Sequence, residues 1–200
     1  MDNPSAKDAL AARIRAIIRA KGRAIVAIDG MAASGKTTLA QQLTAAIPAC
    51  AVVHMDDFTI PFEDRYPCYF DALLSNADFL RFEREVLMPL LSGKDAVYRP
   101  YRCHPEAGFL DPVTIPADTR CVIVEGAYCL HPALAKRYDL RVLMTISSGT
   151  QQARILARNG QAQLERFLSE WIPMENRHIR RHHLHSLCDM LISETPDDQP

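Results

Sequence analysis

The stretch AIVAIDGMAASGKTTLAQQL, residues 24–43, decides the fold. AIVAID (24–29) is a short apolar run with β-branched members, the composition of a strand buried on both faces. LAQQLTAAI (39–47) has helical spacing and is stopped by Pro48. Between strand and helix, Gly30-Met31-Ala32-Ala33-Ser34-Gly35-Lys36-Thr37 fits the pattern GxxxxGK followed by Ser or Thr at every position.

These residue types suit the holding of a phosphate chain. Glycine tolerates the dihedrals of a compact loop whose backbone N–H groups converge, and it lets an anion come close. The helix that follows turns its partially positive N-terminus toward that anion. Lys36 can reach the outer phosphate oxygens, and the Thr37 hydroxyl can ligate Mg²⁺. The candidate phosphate-binding set is therefore Gly30, Ala32, Ala33, Ser34, Gly35, Lys36, Thr37 and Thr38, with Lys36 also a catalytic candidate.

Outward from the loop the same alternation continues. CAVVHM (50–55), CVIVEG (121–126), RVLMTIS (141–147) and LCDMLISE (187–194) read as further strands. Residues 7–21 place Leu10, Ile14, Ile17 and Ile18 at helical spacing, which predicts an amphipathic helix docked on its own domain and stopped at Gly22. Helices are also predicted over 78–92, with Asp78 as N-cap, over 151–160, ended by Gly160, and over an Arg- and His-bearing region at 162–185. The stretch 58–77 is irregular, and 96–116 is a proline-bearing excursion with short β-like pieces. Strands alternating with helices imply parallel βαβ units, hence an α/β fold of three layers, α/β/α, with a mostly parallel five-stranded sheet. The division this suggests is one domain over 1–200: a docking helix at 1–21, a substrate-side insertion at 58–116, and a lid with following helices at 151–185.

Phosphoryl transfer needs a metal anchor and a group that orients the nucleophile. Glu125 ends a buried strand, where ligands gather in open α/β sheets, and is placed to hold Mg²⁺. Asp56 and Asp57 end another strand. Asp56 can accept a hydroxyl proton or bind Mg²⁺, and the residues alone do not separate these roles. Side chains of neighbours on an extended segment point opposite ways, so one of the pair is expected to face the metal. Arg154 and Arg158 lie one helical turn apart, able to clamp a transferring phosphoryl group. His178 and His182 have metal-pair spacing, but no third ligand accompanies them, and a polar helix face is the expectation.

The near-neutral net charge of −1 gives no support for a nucleic-acid partner. No window is long and apolar enough to cross a membrane, and no leader-like run is present, so the expected partners exclude membrane and the expected address is cytoplasmic. The six cysteines form no CxxC pair and read as reduced thiols.

GMAASGKT, HMDDF, YRPYRCH, VIVEG, YDLRV, RILARNG and WIPME occur in the order seen in the uridine kinase/phosphoribulokinase-like family, which the chain resembles over about 22–192. The resemblance implies a P-loop NTPase fold with a helical lid, ATP and Mg²⁺ as cofactors, and a small-molecule hydroxyl acceptor, a nucleoside favoured. It also implies roles: Asp56 as base and metal-site carboxylate, Glu125 on a Walker B-like strand, and Arg154 and Arg158 as lid arginines. Tyr101 and His104 resemble base-pocket residues, Asp78 stands near a ribose-binding acid, and Asp57 joins the substrate-binding candidates. Members are often dimers or tetramers, so the resemblance allows a homo-oligomer.

The chain also departs from the family's pattern, in its substrate-pocket segment among other places, so the resemblance supports a kinase more than it supports uridine as the acceptor. Asp57 stands where a serine is usual, and Arg158-Asn159 where an Arg-Asp pair is usual. Kinases of a sugar, pantothenate or ribulose phosphate are the near alternatives. A P-loop ATPase or a nucleotide-binding regulator without turnover is the distant one. No NKxD guanine-reading motif and no LSGGQ signature occur.

Overall fold

A computed structural model describes residues 5–61, 77–102 and 108–193. Strand β1 (Ala24–Gly30) is buried along its whole length, and its side chains split between two cores. Ile25 and Ala27 join Val53, Phe58, Phe82, Val122, Val124 and Leu143 on one face of the sheet. Ala24, Val26 and Ile28 join Leu10, Ile14, Leu39, Leu43, Ile123 and Val142 on the other. A period-2 chain with apolar residues at every position must fill both sides, which is why a central parallel strand reads as an unbroken apolar run.

The sheet has the order β2-β7-β1-β8-β9, with β2 (Cys50–His54), β7 (Cys121–Glu125), β8 (Leu140–Thr145) and β9 (Met190–Ser193) around β1. All four neighbouring pairs run parallel. Antiparallel pairing occurs in the excursion, where β3 (Ala96–Tyr98) pairs β6 (Val113–Ile115) and β4 (Tyr101–Arg102) pairs β5 (Gly108–Phe109). The three-layer α/β/α architecture with a five-stranded sheet is thus the observed one.

Helix α1 (Ala6–Lys21) buries Leu10, Ala11, Ile14 and Ile18, is capped by the Ser5 side chain, and ends at Gly22 in the left-handed conformation. Helix α2 (Lys36–Ala46) stops two residues before Pro48, because Ile47 is held extended by the proline that follows it. Two longer helices, over 79–91 and 161–181, each widen into a π turn, at Glu83–Leu87 and Phe167–Trp171. Pro89 and Pro173 explain both. A proline ring cannot approach the carbonyl four residues back, so the helix admits an extra residue ahead of it.

Candidate active site

Chain topology brings the carboxyl ends of β1, β2 and β7 together. Gly30 closes β1 at φ 144°, and a Cβ there would lie 2.0 Å from the Met144 carbonyl oxygen of β8. Only glycine lets the loop begin so close to the neighbouring strand. Gly126 does the same after β7. It has φ 138°, and a Cβ there would meet Met55 Cβ at 2.9 Å, so glycine lets the turn carrying Asp56 pack beside Glu125.

The loop wraps one end of a cleft of about 850 Å³. Ala32, Ala33, Ser34, Gly35, Lys36, Thr37 and Thr38 line it, together with Asp56, Glu125, Arg154 and Arg158. Residues scattered over a hundred positions of sequence therefore share one space. Lys36 Nζ donates to the carbonyls of Gly30 (2.8 Å) and Met31 (2.9 Å). Ser34 is buried, and its hydroxyl has no hydrogen-bond partner among the described residues. An orphaned buried hydroxyl beside a lysine ammonium and the N-terminus of an 11-residue helix fits a phosphate-bearing ligand.

Thr37 Oγ1 donates to Glu125 Oε1 at 3.2 Å, and Glu125 is buried. The same oxygen lies 2.5 Å from His54 Nδ1. This hydrogen bond holds the His54 imidazole above its ordinary pKa, with burial opposing. A hydroxyl and two carboxylates offer only hard oxygen donors, which suits Mg²⁺ completed by phosphate oxygens and water. Among the described residues, no three His, Cys, Asp or Glu side chains are placed to hold a metal ion by themselves.

Asp56 and Asp57 sit on a 3₁₀ turn, Met55–Phe58, and not on the extended segment that the sequence suggested. They nevertheless separate. Asp56 lines the cleft, while Asp57 Oδ2 accepts from the Tyr98 hydroxyl at 3.3 Å and its carbonyl accepts from Arg81 at 2.6 Å. Asp56 is open to the cleft solvent yet recessed among protein atoms. That crowding raises its carboxyl above the usual range, Glu125 adds to the rise, and Lys36, His54 and Arg158 oppose it.

Arg154 and Arg158 project from the helix Ser148–Asn159. Arg154 Nη1 donates to the Ala33 carbonyl at 3.2 Å, and Arg158 Nε to Asn159 Oδ1 at 2.7 Å. The remaining candidates lie elsewhere. Asp78 Oδ1 caps the helix 79–91 by accepting from Arg81 N–H at 2.9 Å. Tyr101 is buried edge-on against Phe109. His104 lies outside the described residues. The polar-face expectation for His178 is corrected: its ring is 1% exposed, with Nε2 3.3 Å from Asp29 Oδ2. The same buried carboxylate also accepts the N–H groups of Gly30, Tyr128 and Leu130.

Three residues at the site were not singled out from the sequence, although two of them, His54 and Glu175, stand in the HMDDF and WIPME segments. His54 is placed by register opposite Glu125. Glu175 Oε2 accepts from Ala32 N–H at 2.8 Å, and Gln151 Nε2 donates to the Ala32 carbonyl at 3.1 Å. Both Glu175 and Gln151 are buried polar residues on helices whose pattern looks solvent-facing.

Loop, sheet order and strand-end carboxylates define a P-loop NTPase fold, and the chain is similar to proteins described as uridine and nicotinamide riboside kinases. A solved structure described as a possible uridine kinase from Bacillus stearothermophilus superposes with TM-score 0.69 at 20% identity, covering 93% of this chain and 96% of that one. A nicotinamide riboside kinase of Eremothecium gossypii is 25% identical over 169 residues, 74% of this chain and 68% of that protein. An inorganic pyrophosphatase of Arabidopsis thaliana is 28% identical over 131 residues, 62% of this chain. The match spans only 18% of that pyrophosphatase's length. No family model matches the chain. None of its described helices is long and apolar enough to cross a membrane.

Proposed function

We propose that this chain is an ATP-dependent kinase that transfers the γ-phosphoryl group to a hydroxyl of a small molecule, the 5′-hydroxyl of a nucleoside such as uridine or cytidine being favoured. One observation carries the reading: a phosphate loop, two carboxylates and two arginines converge on a single cleft. The relatives named for nicotinamide riboside and uridine support a nucleoside acceptor.

In this reading the loop amides, Lys36 and the start of α2 bind the phosphate chain. Arg154 and Arg158 offset charge on the moving phosphoryl group. Asp56 accepts the proton of the attacking hydroxyl. Thr37, Glu125 and Asp56 would hold Mg²⁺, which when bound neutralises phosphate charge. The excursion within 58–116 borders the acceptor, and the helices over 151–185 act as the lid.

One observation favours a second acceptor class, a sugar or pantothenate. Asp57 and Asp78 are engaged with protein partners, and Tyr101 is packed inside the excursion. A panel of nucleosides, sugars and pantothenate, each with ATP and Mg²⁺, tests both by ADP release. Release that requires one acceptor identifies it. Release without any acceptor would replace the kinase reading with an ATPase.

A further inference from the structure

We infer that Glu175, together with Gln151, is a positioning residue for the phosphate loop: the two side chains clasp Ala32 and set the direction of the backbone amides that bind the nucleotide. The inference rests on the kinase reading, since it concerns how that same nucleotide site is held.

The clasp acts on two consecutive peptide planes. The Ala32 N–H belongs to the 31–32 peptide and is held by Glu175 Oε2 at 2.8 Å. The Ala32 carbonyl belongs to the 32–33 peptide and is held by Gln151 Nε2 at 3.1 Å. Arg154 holds the next carbonyl, that of Ala33, at 3.2 Å. With one plane pinned through its donor and the next through its acceptor, rotation about the Ala32 dihedrals is blocked. This constraint is needed locally, because Ala33 sits at φ 59°, a left-handed conformation that a residue with a Cβ seldom adopts. Such a conformation persists where the surroundings over-determine it.

Burial makes these hydrogen bonds count. Gln151 is 1% exposed and Glu175, at the wall of the cleft, is 9% exposed, so little of either side chain is open to water. Ala32 itself packs with Ile155 and Leu164, and with the half-buried Phe167 and Ile172, in a small apolar cluster between loop and helices. Glu175 and His178 stand three residues apart, on one face of the helix 161–181. His178 contacts Asp29, whose other oxygen accepts the Gly30 N–H at 2.6 Å. One helix face thus holds both the entry to the loop and its middle. The helices that carry Arg154 and Glu175 and the loop beneath them form one contact network, so displacement of those helices is transmitted to the loop.

Calorimetric titration with Mg·ADP, paired with steady-state turnover, tests this on the full chain. Glu175→Leu removes the acceptor and should weaken ADP binding and raise KM for ATP about tenfold, the effect of leaving one buried donor unpaired. Its kcat and its KM for the acceptor should change less than about threefold, since the loss lies in nucleotide binding and not in the chemical step. Glu175→Gln keeps an oxygen for the Ala32 N–H and should bind ADP within about threefold of the wild type. Wild-type binding by Glu175→Leu would overturn the inference, and so would equal weakening in Glu175→Gln, which would assign the effect to charge. Should Glu175→Leu fail to fold, Gln151→Met decides: weakened ADP binding supports the clasp, and unchanged binding refutes it. A wild-type chain that binds no Mg·ADP sinks the kinase reading itself, a result separable from failure of the clasp.

Discussion

Thr37 Oγ1 and Glu125 Oε1 lie 3.2 Å apart, joining the first turn of α2 to the end of β7 across 88 residues of sequence. That contact sets the end of the loop directly beside the strand-end carboxylate. The consequences for function can be checked one side chain at a time.

Lys36→Ala should leave the fold intact and remove turnover. Its ammonium is held at the loop by the Gly30 and Met31 carbonyls and stands in the cleft. Loss of a charge aimed at the phosphates should cost kcat/KM about a hundredfold or more. Circular dichroism should overlay the wild type while ADP release falls to background.

Asp56→Asn should lower kcat about a hundredfold or more and weaken ADP binding by a much smaller factor. The amide keeps the shape but cannot accept the proton. Turnover equal to the wild type in a stopped assay with the identified acceptor would end its assignment as base.

Gly30→Ala should destabilise the chain severely. The added Cβ would fall 2.0 Å from a backbone oxygen of β8, and backbone cannot swing aside as a flexible side chain can. A loss of about 3 kcal/mol is expected, a fall in Tm of roughly 6–12 °C. Gly149→Ala is the control: a Cβ there meets nothing within 4 Å, and it lies in a helix, so Tm should hold or rise by a few degrees at most.

Stability should depend on pH through Glu175. Burial raises its carboxyl from 4.5 to about 7. Lys36 and the Ala32 amide oppose the rise, and Asp29 and Asp56 add to it. Tyr128 also feels the Glu175 charge. The folded chain therefore binds this proton more tightly than the unfolded one. The stabilisation is complete below about pH 4.5 and is lost as pH rises through about 7. Tm of the wild type minus Tm of Glu175→Gln should accordingly shrink between pH 5 and 8 in scanning fluorimetry. A difference constant across that range would contradict the titration.

The loop and the strands were legible because their signals are local. GxxxxGK with Thr37 is a contiguous pattern between a buried strand and a helix, and CVIVEG announces a parallel strand by its unbroken apolar run from Cys121 to Val124. Pro48, Gly22 and Asp78 marked helix ends through their own backbone chemistry. The π turns were not legible, since a proline in a helical pattern signals a stop or a kink without saying how the chain absorbs it. The separation of Asp56 from Asp57 was expected, but on an extended segment; that it rests on a 3₁₀ turn and on Tyr98 arriving from the excursion was not legible.

By itself, then, the sequence determined the class of fold and the place of the loop between strand and helix, because strand burial, loop length and helix start are properties of consecutive residues. The tertiary structure alone decided that Glu175, Gln151 and His178 are inside. Their helices are polar enough to face water, and it is the loop, with Ala32 groups and the Asp29 carboxylate to satisfy, that draws these side chains inward. Whether a polar residue on such a helix is solvated or buried depends on the hydrogen-bonding needs of what lies opposite, and that partner is more than a hundred residues away in the chain.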